Sequence, residues 1–325
     1  MVKVVVAAGL VWLLLQQGLL DLHLLWANGL PLPMLAVGLA LNLLMISLGA
    51  VRWQILLGSQ SIRLPFAWVH RMIYLTVCFN LLVPGSIGGD ALRMGYVVRQ
   101  SAPDQKSAAI LTIVADRLTG LYALFLLALL ASLANLPRLL ELLPTRLLLL
   151  SLGMAVVGGP LLAALLAWGV ERLPGLRNQI ATPATVDSPP PHWLMGVVAQ
   201  VVQAVRLFRQ AKGHLLAAVL VSLLAQAIEI GALLWIARAL GVLSGSADHF
   251  FVAAPIAWVA NLLPISPGGL GVGEAAFAQV CQWLQPDAAL TALGTPFLIN
   301  RFLQIAASLP GLWVYLTHRH TASAT

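Results

Sequence analysis

Charge is what this sequence has least of: 18 Lys and Arg and 11 Asp and Glu among 325 residues, 9% in all. A water-soluble domain carries about 25%. An ordinary globular enzyme is thereby excluded, and so is a disordered chain, which needs polar residues to stay solvated. Cysteine is nearly absent. Its two copies, Cys78 and Cys281, each sit inside an apolar run, which argues against a disulfide framework or a cysteine metal cluster. The histidines lie mainly at the ends of apolar runs or in loops and show no ligand spacing. A nucleotide-binding glycine loop, an Asp-x-Asp sugar-nucleotide motif and a Gly-x-Ser-x-Gly elbow are all missing. Their absence argues against an ATP-driven pump and several enzyme classes. No metal and no cofactor is expected.

What is present is apolar. Hydrophobic residues make up 60% of the chain and mean hydropathy is +0.92. Each membrane-crossing helix needs about 20 such residues. The runs at 4–20, 32–57, 108–134, 147–169, 214–241 and 288–316 predict about six full spans. The first run follows Lys3 but is not followed by a small-residue cleavage site, so it is expected to remain as an anchor. Residues 170–192, with Pro183 and Pro189-Pro190-Pro191, are the one clearly polar linker. In 193–212, Leu194, Val198, Val201, Val205 and Phe208 share one helical face and basic and amide side chains the other. That pattern fits a helix lying on the bilayer surface, or equally a linker helix packed on the spans.

Two apolar stretches are interrupted by breakers. Residues 65–83 run into Pro84-Gly85-Ser86-Ile87-Gly88-Gly89-Asp90, and residues 250–263 into Pro264-Ile265-Ser266-Pro267-Gly268-Gly269 and on to Glu274. Each predicts a re-entrant helical hairpin, over 65–100 and 250–284. The net charge of +7 suggests nucleic acid at first sight, but its placement answers otherwise. If both stretches turn back on the side they entered, Lys3, Arg52, Arg63, Arg71, Arg93, Arg99, Lys106, Arg172, Arg177, Arg206, Arg209, Lys212 and Arg319 fall on the cytoplasmic side. Only Arg138 and Arg146 fall outside, while Arg117, Arg238 and Arg301 stay within spans. This is the positive-inside bias of a multi-pass protein with both termini cytoplasmic. No nucleic-acid partner is expected.

The two breaker regions resemble each other. Asn80-Leu81-Leu82 before Pro84 matches Asn261-Leu262-Leu263 before Pro264; Gly88-Gly89 matches Gly268-Gly269; Asp90 matches Glu274. Arg117 follows Asp90 by 27 residues and Arg301 follows Glu274 by 27, each preceded by a polar residue, Asp116 or Asn300. Two spans, a hairpin and one more span, repeated with opposite orientation, make an inverted repeat with halves 1–140 and 141–325. The fold class expected is an all-α polytopic membrane protein.

Broken helices bring unpaired backbone groups to mid-membrane depth, where they are tolerated only inside protein or beside a wet cavity. Helix N-termini there favour an anionic group. Arg117 and Arg301 each cost about 2.5–3.5 kcal/mol at that depth, so both are expected to face partners. Either they bind a phosphate or carboxylate together with Asn80, Gly88, Gly89, Asn261, Gly268 and Gly269, or they pin each hairpin by pairing with Asp90 and Glu274. The acids stand as dipole-stabilised caps or as proton-coupling groups. Asp116 points about 100° away from Arg117 and is read as serving a neighbouring helix. Glu229, mid-span, is a buried carboxylate that needs a partner, and stands as a structural pair or as a proton relay.

At these residues the chain resembles the flippase-like membrane domain of the lysylphosphatidylglycerol synthase family. The resemblance rests on Asn80-Leu-Leu-x-Pro-Gly-x-Ile-Gly-Gly-Asp90, Asp116-Arg117-Leu118-x-Gly120 and Leu263-Pro264-x-Ser-Pro-Gly-Gly-Leu-Gly-Val-Gly-Glu274. It implies a stand-alone member of a bacterial inner membrane, without the soluble aminoacyltransferase domain, that moves a lipid between leaflets. The substrate implied is a phospholipid, an aminoacylated lipid, or a glycolipid or hopanoid. A lipid-modifying enzyme and a second copy of the chain are further partners to consider. The alternative function is a membrane-embedded enzyme or accessory protein of lipid modification that transports nothing.

Overall fold

With no water in a bilayer core, backbone N–H and C=O groups must be satisfied within their own segment, which favours helices. The computed structural model of the chain agrees: its regular elements among the described residues are all helical. The structure describes residues 9, 11–16, 18–21, 31–82, 88–134, 136–172, 202, 205, 211–243, 247–261, 266, 269–285 and 292–322. In chain order the helices are α1 Leu32–Ser59, α2 Phe66–Leu82, α3 Gly88–Gln100, α4 Lys106–Ala134, α5 Leu143–Arg172, α6 Lys212–Ala239, α7 Asp248–Ala260, α8 Val272–Leu284, α9 Gly294–Ser308 and α10 Pro310–Ala322. A single helical turn, Leu136–Leu139, precedes α5.

Helices α1, α4, α5, α6 and the α9–α10 rod are long and apolar enough to cross a membrane. The chain is an all-α polytopic membrane protein, and these five correspond to five of the six expected spans. Of the sixth, 4–20, residues 9, 11–16 and 18–20 are described and 11–16 are helical, whereas the amphipathic stretch 193–212 lies almost wholly outside the described residues, as do the polar linker and the hairpin turn at 83–87. Helices α3, α7 and α8 have 13 residues each and α2 has 17. At 1.5 Å per residue they measure about 20 and 26 Å, short of the roughly 30 Å hydrocarbon core. They form two helical hairpins, α2 on α3 and α7 on α8.

The bundle is built around α1 and α6, which run antiparallel in close contact: Gly58 faces His214 at one end and Gly38 faces Ile236 at the other. The buried residues of α1, Met34, Gly38, Asn42, Ile46, Ala50, Trp53, Leu56 and Leu57, follow helical spacing and make one continuous stripe. A Cβ on Gly38 would come within 2.6 Å of Leu303, so glycine there lets α9 approach α1. Helix α4 packs on α6 and α7; α9 packs on α1, and α10 on α2. The α2–α10 contact is a backbone approach. A Cβ on Gly311 would overlap the Tyr74 carbonyl oxygen.

Two spans are irregular, each at a proline. Pro160 in α5 cannot donate to the preceding turn, and the ladder widens just before it into a π-turn, Met154–Gly158, closed by Gly159 N–H on the Met154 carbonyl. The expected 288–316 span is instead two helices that break between Ser308 and Pro310. Leu147, Leu150, Met154, Val157, Leu161, Leu165 and Trp168 leave one long side of α5 bare. Lipid tails are the natural cover for such a face.

Candidate functional site

Each hairpin holds an acid on the first turn of its second helix. On α3, Asp90, Arg93 and Val97 share the buried face; on α8, Glu274, Phe277, Ala278 and Cys281 do so. The loop into α8 needs Gly269 and Gly271, at φ +75° and +83°, where a side chain would be strained. Glu274 closes that turn by accepting the Gly271 N–H through Oε2 at 2.8 Å.

The two arginines spaced 27 residues on reach back to these acids. Arg117, on α4, places Nη2 2.6 Å from Asp90 Oδ2 and donates to the same oxygen through Nε at 2.7 Å. Arg301, on α9, places Nε 3.3 Å from Glu274 Oε1. Its Nη2 donates to Asn261 Oδ1 at 3.2 Å and to the Gly269 carbonyl at 3.3 Å. The asparagines occupy matching places. Asn80 Oδ1 accepts the Gly89 N–H at 2.9 Å, and a Cβ on Gly273 would overlap Asn261 Oδ1. In each hairpin the asparagine therefore touches the glycine immediately before the acid. Gly89 also lies so close to the Thr76 carbonyl that a Cβ would overlap it. Gly88 is half-buried, while Gly268 lies outside the described residues.

The two pairs differ in exposure. The Arg117 side chain is 49% exposed and Asp90 12%; Arg301 is 9% and Glu274 1%. One pair is open to its surroundings and the other is sealed.

Asp116 serves not one neighbour but two. Its Oδ1 accepts from Arg52 Nε at 2.6 Å and its Oδ2 from Arg93 Nη1 at 2.9 Å. Arg52 continues to Ser222 Oγ on α6 at 3.2 Å. Arg93 lies 3.6 Å above the centre of the Trp53 ring, whose indole N–H donates to Thr112 Oγ1 at 3.1 Å. Arg52 and Arg93 thus lie inside the bundle, although the sequence reads them as cytoplasmic orientation charges. The signal was available: an aspartate buried at mid-span has to meet a cation, and Arg93 falls three residues after Asp90 on the same helical face. Asn300, which replaces Asp116 in the second half, makes a neutral contact, accepting Asn42 Nδ2 at 3.0 Å. Glu229 accepts from Gln304 Nε2 at 2.6 Å.

The sites expected from sequence therefore gather into separate groups. Asn80, Gly89, Asp90 and Arg117 form one, continued by Asp116; Asn261, Gly269, Glu274 and Arg301 form another; Glu229 stands apart from both. Among the described residues no hydrogen bond or ion pair joins the two hairpin groups. Several buried polar atoms have no hydrogen-bond partner among the described residues: Arg93 Nε and Nη2, Arg301 Nη1 and Asp90 Oδ1. No cluster of three His, Cys, Asp or Glu is arranged to hold a metal among the described residues.

Searches of curated proteins and of solved structures each found no match. Residues 1–308 match the family model described as the lysylphosphatidylglycerol synthase TM region. The match runs through both hairpins and both arginines, and the chain belongs to the family of the lysylphosphatidylglycerol synthase transmembrane region, multi-pass membrane proteins of lipid metabolism or transport.

Proposed function

We propose that the chain moves a polar-headgroup lipid between leaflets. The headgroup, on a phospholipid, aminoacylated lipid, glycolipid or hopanoid, sits between the two hairpin ends while its tails stay in the bilayer. The observation that carries this reading is the matched pair of contacts, Asp90–Arg117 and Glu274–Arg301, each at the start of a hairpin's second helix. Buried arginine is costly in a membrane, and a pin for a hairpin has no need of spare donors. The unfilled N–H groups of Arg93 and Arg301 suit a phosphate or carboxylate, which guanidinium binds with two parallel hydrogen bonds.

Helix packing supports an inverted repeat with halves 1–140 and 141–325. If α1 corresponds to α6, the first hairpin to the second, and α4 to α9–α10, then α4 on α6 matches α9 on α1. Likewise α4 on α7 matches α10 on α2. Such halves can rock about a fixed central site. The open Arg117 pair beside the sealed Arg301 pair fits one of the two access states. The basic residues favour an inner-membrane protein with cytoplasmic termini. Lacking an ATP loop, transport is passive or ion-coupled, with no chemical change to the lipid.

The test is transport by the purified protein in vesicles carrying labelled lipids, alongside mass spectrometry of lipids that stay bound during gentle purification. Redistribution of an unmodified lipid, lost in Arg117→Ala and Arg301→Ala, is the expected result. A new lipid product would instead identify an enzyme. No movement and no product would leave an accessory role to a lipid-modifying partner.

A further inference from the structure

Four carboxylates, Asp90, Asp116, Glu229 and Glu274, occupy the hairpin turns or the middle of the described spans. Asp90, Asp116 and Glu274 each have an arginine within 3.3 Å. Glu229 has an amide. It sits on α6, about 15 Å from that helix's C-terminal end at 1.5 Å per residue, and its contact is Gln304 Nε2 on α9. A carboxylate at this depth with no cation beside it is strongly disfavoured as an anion.

The neighbouring polar atoms are short of donors rather than acceptors. Gln226, one turn earlier on the same face of α6, has a buried Oε1 with no partner among the described residues. Asn42, on α1 and 1% exposed, donates twice, to the Gly38 carbonyl and to Asn300 Oδ1, while its own Oδ1 is buried without a partner. A proton on Glu229 would remove the stranded charge and supply a donor on the face of α6 that carries the unpartnered Gln226 Oε1. A metal cation fits less well, because Gln304 aims an N–H at the carboxylate rather than an oxygen.

The charged groups on the helices packed against α6 are engaged elsewhere. From α1, Arg52 is held by Asp116 and reaches α6 at Ser222, two turns from Glu229. From α4, Asp116 and Arg117 pair with Arg52, Arg93 and Asp90. From α9, Arg301 turns to Glu274, Asn261 and Gly269. From α7, Asp248 and His249 lie in its first turn. On α6 itself Arg238 is exposed near the C-terminal end, and Lys212 and His214 stand at the start.

We propose that Glu229, held by Gln304 and one turn from Gln226, is the proton-binding site that couples lipid movement to a pH gradient. This deepens the transport reading and rests on it. The connection is α9: Asn300 and Gln304 face the α1–α6 side, and Arg301, one position from Asn300, holds the second hairpin. Loading or losing the proton changes the bond between α6 and α9, and α9 carries that change to Arg301.

Two measurements test it. In vesicles, one proton carried per lipid lets a one-unit pH gradient sustain a leaflet asymmetry of labelled lipid of up to about tenfold. Wild type is expected to build asymmetry toward that limit and Glu229→Gln to settle near equal distribution; an asymmetry that persists in Glu229→Gln overturns the proposal. So does wild type that moves lipid with no response to the gradient. The second measurement needs no transport: infrared titration of the purified protein. A protonated-carboxyl band that changes with pH in wild type and vanishes in Glu229→Gln supports the site. No such band, or one that survives the substitution, overturns it. If no lipid moves in wild type, the transport reading fails, and the infrared result still decides whether Glu229 binds the proton.

Discussion

Arg117→Ala and Arg301→Ala remove topologically matched side chains and should cost very different amounts of stability. Arg301 and Glu274 are 9% and 1% exposed. Deleting this arginine strands a buried carboxylate and frees Asn261 Oδ1 and the Gly269 carbonyl. Removing one partner of a buried pair costs about 3–5 kcal/mol. Arg117 is half in the open, and an exposed pair contributes only about 0.2–1 kcal/mol. At roughly 2–3 °C per kcal/mol for a chain of this size, Arg301→Ala should lower the unfolding temperature in detergent by roughly 6–15 °C. Arg117→Ala should lower it by no more than about 3 °C. Adding Glu274→Gln to Arg301→Ala should recover most of the loss. The amide carries no charge yet still accepts the Gly271 N–H that Glu274 Oε2 now holds. Equal shifts for the two single variants would refute the reasoning, as would a double variant less stable than Arg301→Ala alone.

Two further predictions follow from the same geometry. Gly89→Ala drives a Cβ into the Thr76 carbonyl, so the first hairpin must splay at a cost of about 1–3 kcal/mol, read by thermal unfolding and by lost lipid transport. With the buried Cys78 and Cys281 replaced by alanine, Arg117→Cys should react several-fold faster than Arg301→Cys with a water-soluble thiol reagent; comparable rates would mean the two hairpins are equally open.

The spans and hairpins were legible because their signals are local: apolar runs of a length set by the bilayer, and breakers in the middle of two of them. The pairing of Arg117 with Asp90 and of Arg301 with Glu274 was also within reach, since equal spacing of 27 residues in two places constrains both at once. What escaped depends on which helix lies beside which. Arg93 lies midway along α3 and Arg52 two turns from the end of α1, and both carry the charge expected of cytoplasmic flanks; their common partner, Asp116, lies on a third helix, so only that buried acid's need for a cation pointed to them. The partner of Glu229 is 75 residues away on α9, and no periodicity within α6 names it. The break at Pro310 was written in the sequence as Leu-Pro-Gly, but the hydropathy of the run on either side masks it.

The contact between α10 and α2 bears on how the protein is made. The wall that the first hairpin rests against, at Tyr74 and Cys78, is supplied in part by Gly311, about 230 residues further along the chain. At about 5–20 residues per second, the hairpin has to wait roughly 10–45 s after synthesis before that wall exists. During this interval its polar turn and the pair of Asp90 with Arg117 must be sheltered by lipid headgroups, by the insertion machinery or by the earlier helices alone. The first hairpin therefore cannot complete its packing until α10 has been made. A ribosome stalled before Gly311 emerges should release a product whose damage is felt first at the first hairpin.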